Sequence, residues 1–190
     1  MCGIAGAIGP NAELLSRRMT EALTHRGPDD HGAMSTEGVA LGFRRLSIID
    51  LTGGNQPISN ETGDVHLVCN GEIYNSPDLR RQLQAAGHRF RTDSDVEVIL
   101  HLYEDFGTEC VRHLRGMFAF AIWDARNRSL VLARDHMGQK PLFFAEAGGH
   151  FLFASEIQAL LASRVVQRQL DTEGLWHYLS LRSLPDQLSL

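Results

Sequence analysis

Cysteine is scarce in this sequence: there are three, Cys2, Cys69 and Cys110, an odd number with no short spacing. That excludes a disulfide framework and a Cys-x-x-Cys zinc site, and it implies a reducing compartment. The start, Met-Cys-Gly-Ile-Ala-Gly, has no basic n-region and no long apolar run, so neither a signal peptide nor a membrane span is expected and the reading is cytoplasmic. Positive charge is not in excess either. Eighteen basic against twenty-three acidic residues leave a formal charge of -5 with the signs interleaved, and the pairs Arg17-Arg18, Arg44-Arg45 and Arg80-Arg81 are isolated, which argues against a nucleic-acid partner. The nine histidines are scattered, and His101 with His113 or His136 makes no metal-ligand spacing, so no metal is expected. Repeats and low-complexity tracts are also missing.

What is present suits an ordinary folded domain. A chain of 190 residues, 43% hydrophobic and 22% charged, can bury roughly 70% of the surface its unfolded form exposes. Residues 2 to 9 alternate small and β-branched residues as a packed strand does. Leu15, Met19 and Ala22 recur at helical spacing after Asn11, in a stretch ending at Gly27-Pro28. Val39 to Ile49 and Val65 to Asn70 read as strands flanking a loop or hairpin over Thr52 to Asp64 that includes Gly53-Gly54. Ser76-Pro77-Asp78 offers an N-cap, a first-turn proline and an acid ahead of a helix ending at Gly87; Ser94 and Glu97 have capping-box spacing ahead of another ending at Gly107. A short helix over Val111 to Leu114 follows. From Met117 four segments, MFAFAIWD, SLVLARD, LFFAEA and HFLFAS, suggest an antiparallel meander, and Glu156 to Leu161 and Glu173 to Leu181 read as helical. Strands grouped with strands and helices with helices predict an α+β domain, two antiparallel sheets sandwiched by helices.

Chemistry enters at Cys2. Removal of Met1 leaves a thiol and a free α-amine on one residue, and with reference pKa values of about 8.5 and about 7.7 to 8.0 the amine can take the thiol proton near neutrality. Gly3 beside it lets a substrate carbonyl approach the backbone. On its own, Cys2 reads more simply as a small buried hydrophobe.

Its company decides otherwise. Cys2-Gly3-Ile4-Ala5-Gly6, His25-Arg26-Gly27-Pro28-Asp29, Arg45-Leu46-Ser47-Ile48-Ile49-Asp50, Gln56-Pro57-Ile58, Asn70-Gly71-Glu72-Ile73-Tyr74-Asn75, Ser94-Asp95-Val96-Glu97, Gly116 to Ala121 and Arg134-Asp135-His136-Met137-Gly138-Gln139-Lys140-Pro141-Leu142 together resemble the class II glutamine amidotransferases, specifically the asparagine-synthetase type. The motifs cover nearly the whole chain in the family's order. The resemblance implies the four-layer αββα sandwich of the N-terminal nucleophile hydrolases. It also implies hydrolysis of L-glutamine to glutamate and ammonia: Cys2 attacks the side-chain amide, its α-amine passes the proton to the leaving ammonia, and water cleaves the thioester.

By the same resemblance Asn70 (side-chain amide) and Gly71 (backbone N–H) are the oxyanion donors, and Arg45 forks onto the α-carboxylate. Asp95 and Glu72 face the α-ammonium, and Ile48 packs on the aliphatic part. Taken singly these residues read more plainly: Asn70-Gly71 as a tight turn, Arg45 as a surface arginine, Asp95 as an acid in a helix's first turn, Glu72 as a solvated acid, Ile48 as sheet core. Arg26 resembles a brace for the nucleophile's strand; Arg134 and Asp135 read as structural, Cys69 and Cys110 as small core residues.

Residues 1-165 are expected to form the glutaminase domain, and 166-190 the start of a connection to a synthetase domain. No Ser-Gly-Gly-x-Asp-Ser phosphate loop occurs, so no cofactor is expected in this chain, with ATP and Mg belonging to the absent synthetase half. The expected partners are L-glutamine and that domain in cis, with room for a homodimer. The RDHMGQKPLF segment resembles the asparagine-synthetase branch, which implies asparagine made from aspartate as the product. The alternatives are a sugar, peptidoglycan or polysaccharide acceptor, or a catalytically silent member acting as a binding module.

Overall fold

A computed structural model describes residues 1–47 and 54–185; the Ile48 and Gly53 assignments lie outside the described residues, as does the end of the Ser180 to Leu190 tail. The elements are β1 (Gly3–Ile8), α1 (Ala12–Ala22), β2 (Asp30–Thr36), β3 (Val39–Arg45), β4 (Ile58–Ser59), β5 (Val65–Ile73), α2 (Ser76–Ala86) and α3 (Glu97–Phe106). After a 3-10 segment at Gly107–His113 come β6 (Gly116–Asp124), β7 (Ser129–Arg134), β8 (Phe143–Ala147), β9 (His150–Ala154), α4 (Ile157–Ala162) and α5 (Thr172–Leu181).

Two antiparallel sheets result, one ordered β2-β3-β1-β9-β8 and the other β4-β5-β6-β7. Strand alternation sorts the side chains into layers. Ile4 of β1, Leu41 and Phe43 of β3, Val68 of β5, Ala121 and Trp123 of β6 and Phe153 of β9 form a core between the sheets. The opposite face of the first sheet, with Ala5, Ala7, Leu152 and Ala154, packs on Leu15, Met19 and Leu23 of the α1 region and Leu160 of α4. That of the second sheet, with Leu67, Cys69, Phe120 and Ile122, packs on Leu79 and Leu83 of α2 and Val98, Ile99 and Leu102 of α3. The order is helix, sheet, sheet, helix, as expected. Each apolar stripe is satisfied by the adjacent layer, and the leucines among these residues each contribute roughly 1.5–3 kcal/mol by leaving water.

Several local readings are corrected. The meander is split: β6 pairs with β7 and β8 with β9, but β7 and β8 belong to different sheets, so the chain between Arg134 and Phe143 crosses the sandwich. Ser76 is the first residue of α2, not its cap; Asn75 precedes the helix and spends its side chain on His113 O and Arg115 N. No capping box forms at Ser94: α3 begins at Glu97, whose carboxylate accepts Arg91 N, Thr92 N and Thr92 Oγ1. α1 ends at Ala22, and turns carry the chain to Gly27. The edge strand β2 was not foreseen, because DHGAMST has neither apolar alternation nor a β-branched run; it is held by pairing with β3.

Candidate active site

The same alternation that builds the inter-sheet core also builds the site. Cys2 precedes β1 in phase with Ile4, Asn70 and Glu72 continue β5 in phase with Val68, and Arg45 ends β3 in phase with Leu41 and Phe43. All four therefore project between the sheets, at the end where these strands stop filling the gap with apolar groups. A cleft opens there, with about 640 Å³ of space counting its open mouth, and its walls include Cys2, Arg45, Asn70, Gly71, Glu72 and Asp95.

The start of β1 is held by Arg26 and Ser155. Arg26 donates from Nε to Cys2 O at 3.0 Å and from Nη1 to Glu156 at 2.8 Å, and Ile4 N donates to Ser155 Oγ at 3.0 Å. Burial opposes the Glu156 charge, but Arg26 and His25 outweigh it and hold that carboxyl below its ordinary value. The Cys2 sulfur lies 3.5 Å from Leu46 N and 3.6 Å from Leu46 O.

Asn70 is 2% exposed, and its Nδ2 has no hydrogen-bond partner among the described residues. A buried amide donor left open costs roughly 1–3 kcal/mol unless something occupies it. The dipeptide Asn70-Gly71 is not a tight turn: it runs through β5, opposite Ala119 and Phe118 of β6. Gly71 is required by packing, since a Cβ there would meet Met117 O at 2.6 Å. Gln56 fixes the preceding residue, its amide donating to Cys69 O and accepting from Cys69 N. Gly32 lets β2 lie against Gln56, whose carbonyl oxygen would stand 1.8 Å from a Cβ there.

The charged walls are of opposite sign. Arg45 is 5% exposed and donates to Asn55 Oδ1 at 3.4 Å. Across the cleft Asp95 accepts from Ile73 N at 2.6 Å, and burial, with the Glu72 charge adding to it, pushes the Asp95 carboxyl above its ordinary value. Lys140, 8% exposed, also lines the cleft, with Nζ 3.7 Å from Met1 Sδ. Sequence reasoning gave Gln56 and Lys140 no role; both sit inside quoted motifs, which is the only signal that could have singled them out. Cys69 borders the cleft, but burial raises its thiol well above the ordinary value, and burial takes Cys110 to about 11. Neither is poised as a thiolate.

Set beside known proteins, the chain matches the family model described as glutamine amidotransferase domain over residues 1–190. The chain belongs to this glutamine amidotransferase family. The chain is 43% identical over 182 residues to asparagine synthetase [glutamine-hydrolyzing] 3 of Bacillus subtilis (strain 168), covering 92% of this chain and 30% of that protein. It is 45% identical over 166 residues to asparagine synthetase [glutamine-hydrolyzing] 2 of Arabidopsis thaliana, covering 84% of this chain and 28% of the relative. The amidotransferase domain thus spans about 30% of the length of such relatives. Its fold superposes on the B. subtilis glutamine phosphoribosylpyrophosphate amidotransferase complexed with ADP and GMP, with a TM-score of 0.73 at 24% identity over 87% of this chain and 44% of that one.

Proposed function

We propose that this domain hydrolyses L-glutamine and that Cys2, freed of Met1, is the nucleophile. The observation that carries the reading is the buried, unpartnered Asn70 Nδ2 in the cleft that also holds the Cys2 sulfur. A tetrahedral oxyanion formed beside that sulfur would use such a donor, and a donor fixed by folding needs no reorganisation during the reaction. Arg45 on one side and Glu72 with Asp95 on another complement a zwitterion's carboxylate and ammonium.

In the proposed cycle the thiol sulfur bonds to the glutamine amide carbon while the Cys2 α-amine takes the thiol proton. The tetrahedral adduct, held by Asn70 and Gly71, collapses with cleavage of the C–N bond as the ammonium returns its proton to the departing ammonia. Water then adds to the thioester, the C–S bond breaks, and glutamate leaves with the thiol restored. Arg26 and Ser155 act as positioning residues, since they touch the backbone of the nucleophile's strand.

The ammonia is delivered to an ATP-dependent synthetase domain in cis, with asparagine made from aspartate as the favoured outcome. Supporting this are the greater length and the printed names of the relatives, and α5, which presents exposed Trp176 and Leu179 one turn apart, apolar surface of the kind a further domain covers. ATP and Mg belong to that domain in this reading, and no cofactor is assigned to residues 1-165. No described helix is long and apolar enough to cross a membrane.

Steady-state glutamate release tests the site. Asn70→Ala should lower kcat by about 10²–10³-fold, the usual cost of one oxyanion donor, with KM changed much less. An Asn70→Ala protein that folds and keeps its kcat would remove the oxyanion role.

A further inference from the structure

A second cluster of donors lies outside the cleft, in the helical layer beside α3. His88 follows α2, His101 and Glu104 stand one turn apart on α3, and Glu61 lies in the β4–β5 turn. One donor atom from each falls within 4.8 Å of all the others. His101 Nδ1 is 3.1 Å from Glu104 Oε2 and 3.9 Å from Glu61 Oε2, and His88 Nδ1 is 3.7 Å from Glu104 Oε2.

The surroundings aim these atoms at a common point. Glu61 Oε1 is occupied by Arg89 N at 2.8 Å and Glu104 Oε1 by Asn60 Nδ2 at 2.8 Å, which leaves the second oxygen of each facing the histidines. Behind each imidazole stands another carboxylate. His88 Nε2 is 3.0 Å from Asp105 Oδ1, and His101 Nε2, which has no hydrogen-bond partner among the described residues, is 3.7 Å from Glu97 Oε1, with both His101 and Glu97 only 1% exposed. A carboxylate on the far ring nitrogen is the arrangement that orients metal-bound histidines and raises their basicity.

We propose that Glu61, His88, His101 and Glu104 bind one divalent transition-metal ion of the zinc class, which staples the β4–β5 turn and the α2–α3 connection to α3. Two imidazoles disfavour magnesium and calcium, which take oxygen donors. Four protein donors close a tetrahedral shell and mark the ion as structural, with no open position for a substrate. Donors about 2.0–2.1 Å from a tetrahedral centre stand roughly 3.3 Å apart, so the widest pair must draw in by about 1.5 Å. Glu61, whose side chain is 34% exposed, is the member free to move. Spacing along the chain could not show the site, because only tertiary structure joins residue 61 to residues 88, 101 and 104.

The test uses tag-free chain carrying Cys2→Ala, so that no accessible thiol competes, stripped with chelator and titrated with Zn²⁺, Co²⁺ and Mg²⁺. The expected result is one equivalent of Zn²⁺ bound, tetrahedral Co²⁺ absorption, no response to Mg²⁺, and a Tm raised by roughly 5–10 °C at a hundredfold excess over Kd. Glu61→Gln, at an exposed position that should not disturb folding, and separately His88→Gln, should each weaken Zn²⁺ binding at least about tenfold. Absence of stoichiometric uptake, or uptake unaltered by both substitutions, overturns the proposal. None of these readouts depends on glutamine turnover.

Discussion

Asp95 is where the chemistry of a single side chain sets a measurable property. Burial and the neighbouring Glu72 raise its carboxyl above the ordinary value despite hydrogen bonds from Ile73, Asp95 and Val96 N–H. A substrate ammonium favours the ionised form, so glutamine should bind more weakly as pH falls through the raised Asp95 pKa. KM measured between about pH 4 and 7 should rise toward acid, and Asp95→Asn should raise KM about tenfold or more while flattening that dependence. The stability sign is opposite. An acid whose folded pKa is raised stabilises the fold fully below its unfolded value and loses that contribution as pH rises through the folded value, so Asp95→Asn should show an unchanged or higher Tm at neutral pH. A lower Tm together with an unchanged KM would show that Asp95 serves the fold and not the ligand.

At the scale of elements, the crossing from β7 to β8 hangs on Asp135. Its carboxylate accepts from the N–H groups of Phe118, Met137, Gln139 and Lys140. Burial opposes the charge, but these donors outweigh it and hold the carboxyl below its ordinary value. The stability this provides is present above the unfolded pKa of Asp135 and is lost as pH falls through the depressed folded one. Asp135→Ala should cost about 3 kcal/mol in urea denaturation near neutral pH, because it strands the N–H groups of buried Phe118 on β6 and buried Lys140 in the crossing; a loss below about 0.5 kcal/mol would mean the turn is held by other contacts. The elements legible in the sequence were those with strong local patterns, such as β5, β6 and α2 with Gly87 closing it at φ 107°. The illegible ones depend on distant partners. β2 is a strand because β3 pairs with it, and Glu97 looks like half of a capping box yet is spent on Arg91 and Thr92.

Across the whole molecule, the two sheets make one site from residues as far apart in sequence as Cys2, Arg45, Asn70 and Asp95. Motif resemblance named those residues, and strand phase explains why four of the cleft residues point one way. The resemblance also picked out Arg26 as a brace, and it reaches Cys2 O; what the sequence could not provide was Gln56 gripping Cys69 and Lys140 entering the cleft wall. Each is an ordinary polar residue until tertiary structure supplies its partner. The central claim is that Cys2 is an N-terminal nucleophile in a formed glutamine pocket, and intact mass before and after exposure to the glutamine analogue diazo-oxo-norleucine tests it most directly. The account predicts loss of Met1 and a single adduct that is absent from Cys2→Ala. A processed chain that stays unmodified, or an adduct that persists in Cys2→Ala, would contradict it.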